Sequence, residues 1–231
     1  MSIWCYSDQL SFQAAGRTMV CYKYQYKEDP ILGRGDTRLL TSIWSDQLIN
    51  RPEKALTRVS FTRGGYARFG GAVPRGSGGY TVWRPEHWIF DGTGLEYGDL
   101  FGAEQTVVGY ECDGCEIQLE NGLPVPTHND GIPSSFTILA SSPTTLAERV
   151  EMYGEDSYLG DEDLNFCAER VYGAANTETR AKLAHGNAVM GLYEQYGTVF
   201  TTGCTEWVYG LQSDNPYIEQ ITHNILTRLA E

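Results

Sequence analysis

The chain has 231 residues, a formal net charge of -13 and a sequence pI near 4.7. This acidic balance argues against nucleic acid as a partner, because phosphate binding needs a basic surface. No apolar run reaches the roughly 18 residues of a membrane helix, and the first residues, MSIWCYSDQL, lack the pattern of a signal peptide. We therefore expect a cytoplasmic, single-domain globular protein over 1–231, with no nucleic-acid or membrane partner.

Apolar runs bounded by turn residues predict strands at 17–24, 57–61, 81–83, 88–90 and 136–140. Asp36 is placed to cap a short helix. A glycine-rich stretch from Gly64 to Gly79 contains neither of the common phosphate-binding patterns. We interpret this stretch as a surface loop or lid.

The apolar run TVVGY at 106–110 is typical of a buried strand, and Glu111, Cys112 and Asp113 follow it directly. Carboxylates at the C-terminal end of a buried strand often build sites, because the loops there open into a crevice. Burial also raises the pKa of a carboxyl group and suits it to acid-base work. Glu111 and Asp113 are therefore candidate catalytic residues; the alternative is that they satisfy backbone donors in a tight turn.

The four histidines divide into candidates and surface residues. His87 lies between two tryptophan-flanked runs and is a candidate catalytic group, with a packed core histidine as the alternative. His128 and Asp130 lie in a predicted loop over 120–130 and form either a metal-binding pair or an ordinary turn. His185 and His223 are predicted on helical segments at the surface.

Cys112 and Cys115 form a CxxC pattern, a spacing that serves zinc or redox sites. The other four cysteines are isolated in sequence, so a four-sulfur zinc site has no second pair. A redox CxxC should open a helix, whereas residues 116–119 alternate as in a strand. Thiol chemistry at this pair is therefore the weaker alternative.

The last third of the chain predicts its elements most clearly. Ser142 and Pro143 are expected to open a helix. Two strand-like runs flank Gly197. Asp214, Asn215 and Pro216 are expected to cap a helix whose apolar face holds Ile218, Ile221, Ile225, Leu226 and Leu229. Interleaved strands and helices indicate the α/β class.

Six segments together resemble the C-terminal part of the N,N-dimethylformamidase large (beta) subunit family. They are RTMVCYK at 17–23, Asp29-Pro30, NRPE at 50–53, GGYTVWRPEHWIFDGTGL at 78–95, GDLFGAEQTVVGYECDG at 98–114 and GTVFTTGCTEWVYGL at 197–211. The similarity is in register over nearly the whole chain. Family members are longer, so the chain is similar to the trailing part of their C-terminal domain.

The resemblance implies an amidase that splits dimethylformamide into dimethylamine and formate by metal-assisted attack of water. It implies a mostly parallel sheet flanked by helices, as in class I glutamine amidotransferases, in an incomplete form here. It also implies an iron ion held by two tyrosines and a glutamate, but the resemblance does not assign these three ligands to positions in this chain. Glu111 is expected to be a carboxylate near the substrate. We expect the activity to need upstream sequence or a partner chain. We also expect the chain to form a homo-oligomer or to associate with another subunit. The alternative is that the chain is a non-catalytic remnant of the family.

Overall fold

The computed structural model describes residues 11–13, 17–65, 78–109, 111–146, 149–152, 155–158 and 160–230. Its strands are β1 (Ser11–Gln13), β2 (Thr18–Val20), β3 (Ser60–Gly65), β4 (Tyr80–Val82), β5 (Leu100–Phe101), β6 (Cys112–Gly114), β7 (Ile117–Glu120), β8 (Leu123–Pro126), β9 (Thr137–Thr145), β10 (Arg149–Met152), β11 (Glu155–Tyr158), β12 (His185–Glu194) and β13 (Thr198–Thr201). Its helices are α1 (Lys54–Thr57), α2 (Gly160–Tyr172), α3 (Thr177–Ala181), α4 (Trp207–Gln212) and α5 (Pro216–Leu229), with 3-10 turns at Lys23–Glu28, Thr37–Leu39 and Trp88–Phe90.

A five-stranded sheet in the order β13-β12-β9-β4-β5 forms the centre of the fold. Every strand pairing among the described residues is antiparallel. The prediction of a mostly parallel sheet of the glutamine amidotransferase type is therefore wrong. Interleaved helices and strands suggested crossovers, but β12 turns back into β13 within three residues, which only an antiparallel connection permits.

The ladder between β9 and β12 is the longest in the sheet, running from His185 opposite Thr145 to Leu192 opposite Thr137. The register shifts between Met190 and Gly191, which marks an irregularity of the bulge type. This ladder corrects two predictions. The expected helix at Ser142 and Pro143 is the second half of β9, and His185 begins a strand instead of lying on a helix.

The expected strand at 106–110 is also absent from the described residues. Thr106 to Gly109 form turns, with Thr106 at a positive φ of 53 and the Val107 N–H donating to the Gly102 carbonyl at 3.1 Å. Val107 and Val108 are buried, but in a folded-back loop. Glu111 therefore directly precedes strand β6 and Asp113 lies within it, so the two residues do not follow the end of a strand.

Other predicted elements hold in part. Strand prediction succeeded for 81–83 and 136–140, where β4 and β9 lie, while the expected strand at 88–90 is a 3-10 turn. Asp36 accepts from the Arg38 N–H as expected of a cap, but the helix is a single 3-10 turn. The predicted loop over 120–130 includes β8, which pairs with β7. Within the predicted loop from Gly64 to Gly79, Gly64 and Gly65 end β3, and residues 66–77 lie outside the described residues.

The closing helix α5 confirms its prediction. The Asn215 side chain accepts hydrogen bonds from the N–H groups of Tyr217 and Ile218, and Pro216 occupies the first turn. Ile218, Ile221 and Ile225 are buried, whereas the predicted apolar positions Leu226 and Leu229 are exposed. The buried face is therefore narrower than the apolar pattern of the sequence.

Alternation along β12, where Ala188 and Met190 pack in one core and Val189 in another, gives the sheet two buried faces. One face contributes Leu139, Ala140 and Met190 to a core that α4 and α5 cover, with Trp207, Ile218 and Ile221. The other contributes Ile138 and Val189 to a smaller core with Val59, Cys115, Ile132 and Phe136. A third core joins α2 to the loops around Leu40, Ile43 and Ile49. Within the described ranges, the helices are too short or too polar to cross a lipid bilayer.

Candidate carboxylate site on strand β6

Strand β6 is held from two sides. On one side it pairs with β3, with Ser60 opposite Gly114 and Gly65 opposite Cys112. On the other side, the Asp113 N–H donates to the Gly203 carbonyl at 2.9 Å, and the Glu111 carbonyl accepts from the Thr205 N–H at 3.1 Å. The backbone that carries Glu111 and Asp113 is thus fixed, which is what a catalytic constellation requires.

The Asp113 carboxyl group has the most altered acidity of the carboxyl groups described. Desolvation is the largest cause, and together with the charges of Glu53 and Glu111 it raises the pKa of Asp113 to about 8. Glu111 is itself buried, with 8% of its surface exposed. At neutral pH the Asp113 carboxyl therefore keeps its proton beside a second carboxylate, a pairing typical of acid-base sites.

Glu53 adds a negative charge from outside β6. Its carboxylate accepts hydrogen bonds from the hydroxyls of Ser45 at 2.9 Å and Ser60 at 2.5 Å. The Ser60 hydroxyl also lies 2.8 Å from that of Thr62. Three hydroxyl groups and one carboxylate thus form a connected polar network beside β3, and this network holds Glu53 in place.

His87 belongs to a different part of the fold. Its Nδ1 accepts from the Ile89 N–H at 3.3 Å and so caps the 3-10 turn, and its ring packs against Trp88 with centroids 5.4 Å apart. Burial lowers the pKa of the imidazole; the charges that act on it are those of Glu194, Glu86, Asp91 and Arg84. Glu111 and Asp113 are not among them, so the structure does not bring His87 together with the carboxylates.

His128 and Asp130 form a turn, the alternative that the sequence left open. His128 has a positive φ of 68, and its Nδ1 lies 2.6 Å from the Ile132 carbonyl. Asp130 is buried and accepts from the N–H groups of Glu116 and Ile132. Both polar groups thus stabilise the loop backbone.

The CxxC pattern does not form a dithiol site. Along the extended chain, Cys112 and Cys115 lie about 10 Å apart, and they pack in different cores. Cys112 instead lies directly opposite Cys204 in an antiparallel bridge. No spacing signal in the sequence pointed to Cys204, because the two cysteines are 92 positions apart.

A cleft lies against the segment that follows β6, with Cys115, Glu116 and Ile117 in its lining but neither Glu111 nor Asp113. It has a volume of about 600 Å³, within the usual range for small-molecule sites. Its polar lining includes Arg63, Glu116, Asn187, Lys182 and His185. Arg63 is fixed by a 2.9 Å hydrogen bond from its guanidinium to the Lys182 carbonyl. Glu116 follows Asp113 by three residues, so the cleft and the carboxylates share one segment of chain.

Tyr80, which lies near Cys112 and Asp113, is unsuited to the iron site that the resemblance implied. The Tyr80 hydroxyl donates to the Thr202 carbonyl at 2.5 Å. Burial raises the pKa of Tyr80 well above the usual value, and the charges of Cys112 and Asp113 act in the same direction. Iron ligation needs a phenolate, which this environment disfavours. Within the described ranges, no three His, Cys, Asp or Glu side chains are grouped to hold a metal ion.

Comparison with known proteins gives one match. The family described as N,N-dimethylformamidase beta subunit-like, C-terminal, matches residues 4–221. Searches of the curated proteins and of the solved structures gave no match. Because the match spans nearly the whole chain and includes β6 and its carboxylates, the chain belongs to the N,N-dimethylformamidase beta subunit-like, C-terminal family.

Proposed function

We propose that this chain is an amide hydrolase domain that acts on small N-substituted amides, such as N,N-dimethylformamide, and releases an amine and a carboxylate. The observation that carries the proposal is the proton-bearing Asp113 carboxyl beside the buried Glu111 on a backbone fixed from both sides. Family membership supports the choice of amides as the substrate class.

The two carboxyl groups supply the two proton transfers of amide hydrolysis. Glu111, as the carboxylate, takes a proton from the attacking water. Asp113, which holds its proton at neutral pH, donates it to the departing amine nitrogen, a poor leaving group unless protonated. Positioned acid-base groups of this kind contribute about 10²–10⁴ in rate. His87 has no part in this scheme, because it caps a turn elsewhere.

The cleft beside β6 is the proposed substrate pocket. The Arg63 guanidinium and the Asn187 amide offer donors for an amide carbonyl, and Glu116 offers an acceptor. A volume of about 600 Å³ exceeds what dimethylformamide needs, so we include larger N-substituted amides in the substrate class.

Association with a second chain is the other part of the proposal. The family is named for a subunit, and large apolar side chains are exposed on α4 and α5, with Val208 53%, Tyr209 51% and Leu226 65% exposed. Exposed apolar side chains mark an interaction surface where they form a contiguous patch. We propose that another subunit, or a second copy of this chain, covers them.

The test measures amine release from dimethylformamide and from larger N-alkyl amides, with the purified chain and with the native complex isolated from its source. Glu111→Gln and Asp113→Asn should each lower kcat at least 100-fold. Glu120→Gln, which changes an exposed carboxylate on β7, should leave it unchanged.

Wild-type rates in both site variants would refute the assigned residues. If neither preparation released amine from any amide, the alternative of a non-catalytic family member would be supported instead. Metal analysis of the same preparations gives a separate readout. Iron with a tyrosinate absorption band would show that a tyrosine of the preparation ligates the metal.

A further inference from the structure

Cys112 and Cys204 face each other across an antiparallel bridge. The flanking hydrogen bonds define the type of pair: Asp113 N–H to Gly203 carbonyl at 2.9 Å, and Thr205 N–H to Glu111 carbonyl at 3.1 Å. The cysteines themselves exchange no backbone bond, so they occupy a non-hydrogen-bonded position. Cα atoms of such a pair are about 4.5 Å apart, with their side chains close together. A disulfide needs Cα atoms about 4.4–6.8 Å apart.

Contacts with neighbouring strands hold the backbone around Cys204 in place opposite Cys112. Gly203 has a positive φ of 67, and a Cβ at this position would collide with the Val189 carbonyl of β12. The Thr202 hydroxyl donates to the Cys204 carbonyl at 3.1 Å, and the Tyr80 hydroxyl donates to the Thr202 carbonyl at 2.5 Å. The segment is therefore tied to β4 and β12, and the pair does not depend on a mobile loop.

We propose that Cys112 and Cys204 are an oxidation site at which a hydroperoxide, such as hydrogen peroxide, forms an intramolecular cross-strand disulfide. The inference is independent of amide hydrolysis, because it concerns a covalent change that is measured by mass. It also differs from thiol chemistry at the CxxC pattern, since Cys115 packs in another core.

The reaction balances in two steps. Cys204, which is the less buried of the two, attacks the peroxide as a thiolate; an S–O bond forms, the O–O bond breaks, and hydroxide leaves and takes up a proton as water. The sulfur of Cys112 then attacks the Cys204 sulfur; the S–S bond forms, the S–O bond breaks, and the hydroxyl group leaves as water with the Cys112 proton. One peroxide is reduced to two waters, and two thiols lose two hydrogens.

Burial makes the reaction slow. It raises the pKa of the Cys204 thiol to about 12 and that of Cys112 well above its usual value. Thiolate is therefore scarce at neutral pH, and buried thiols of this kind react slowly. We expect crosslinking to speed up about tenfold for each unit of pH between 7 and 9, because the thiolate fraction rises in that proportion below the pKa.

The crosslink also has a location that matters. Cys112 lies between Glu111 and Asp113 in sequence, so the disulfide would constrain the segment that carries both carboxylates. The disulfide would close the loop between Cys112 and Cys204 and so restrict the unfolded chain. It should therefore raise the Tm by about 5 °C or more.

The experiment treats the full chain with hydrogen peroxide at pH 7 and pH 9, blocks the remaining thiols and digests with trypsin under non-reducing conditions. The expected product joins peptide 76–149 to peptide 183–228, in which Cys204 is the sole cysteine. The intact mass should fall by about 2 Da, and a reductant should restore it.

Two variants assign the sulfur on the first peptide, which holds both Cys112 and Cys115. Cys115→Ala should retain the crosslink, and Cys112→Ala should lose it, with circular dichroism checking that each remains folded. A link from Cys204 to Cys115, or a link that excludes Cys204, would overturn the proposal. Oxidation of the exposed methionines shows that the peroxide treatment was sufficient. Six free thiols in such a wild-type sample would also overturn the proposal. The wild-type peptide map decides the matter even if the Cys112 variant fails to fold.

Discussion

The guanidinium of Arg170 on α2 and the carboxylate of Asp46 form an ion pair from which solvent is excluded, with side chains 5% and 0% exposed. The same guanidinium lies 3.5 Å from the centre of the Tyr26 ring. This contact fastens α2 to the loops before α1, where there is little other secondary structure. Such a pair is costly to break on one side only, because the remaining charge stays buried.

Arg170→Met should therefore destabilise the protein by roughly 3–5 kcal/mol. The measurement is the free energy of unfolding from urea titration followed by circular dichroism. Lys182→Gln, which breaks the exposed pair between Lys182 and Glu178, is the matched control and should barely move the urea midpoint. An Arg170→Met midpoint equal to that of the wild type would show that the buried pair does not hold α2.

The contribution of Asp113 to stability should fall as the pH rises from about 4 to about 8. The pKa of Asp113 is about 8 in the folded chain and 3.8 ordinarily, so over this window the folded state binds more protons than the unfolded state. Stability then decreases with pH, by linkage. Asp113→Asn cannot titrate and should show a shallower slope between pH 5 and pH 8 in urea midpoints. Parallel slopes for the two proteins would mean that Asp113 is already ionised at neutral pH.

Gly114→Ala should destabilise the fold by roughly 1–3 kcal/mol or more, because a Cβ there would collide with the Asn187 backbone carbonyl of β12. Backbone inside a sheet cannot yield cheaply. Gly197→Ala is the matched control, since no atom lies within 4 Å of its Cβ position. Thermal unfolding compares the two variants; equal melting temperatures would contradict the close approach of β6 to β12.

Asn215→Ala should lower stability by about 1 kcal/mol, because it leaves two N–H groups at the start of α5 without their side-chain acceptor. Asn215→Asp keeps an acceptor at this position and should recover most of the loss. The readout is thermal unfolding at fixed pH and ionic strength. If alanine and aspartate behaved alike, the cap would contribute nothing measurable.

Local patterns were readable where one element carries its own signals. Asn215 and Pro216 marked the start of α5 without reference to the rest of the chain, and the alternation at 116–119 marked β7. Burial was less readable: Leu226 fits the apolar period but is 65% exposed. A helix pattern reports which face is apolar, while the width of the face that is covered depends on the packing partner.

The prediction of Glu111 and Asp113 as candidate residues depended on a strand at 106–110 that the described residues do not show. The sequence predicts Glu111 and Asp113 as residues that follow a strand at 106–110, yet Thr106 to Gly109 form turns and bends. What distinguishes Asp113 is its desolvation beside Glu111 and Glu53. Glu53 is 60 positions away in sequence, so no local pattern could have placed its charge there.

The sequence by itself determined the family, the start of α5, the strand β4, the first half of β9 and the segment that carries Glu111 and Asp113. Only the tertiary structure decided that the sheet is antiparallel, that His87 lies apart from the carboxylates, and that Cys112 meets Cys204 and not Cys115. The physical reason is that caps and periodicity act within a few residues. Strand partners and the neighbours of a buried charge are chosen by contacts between distant parts of the chain.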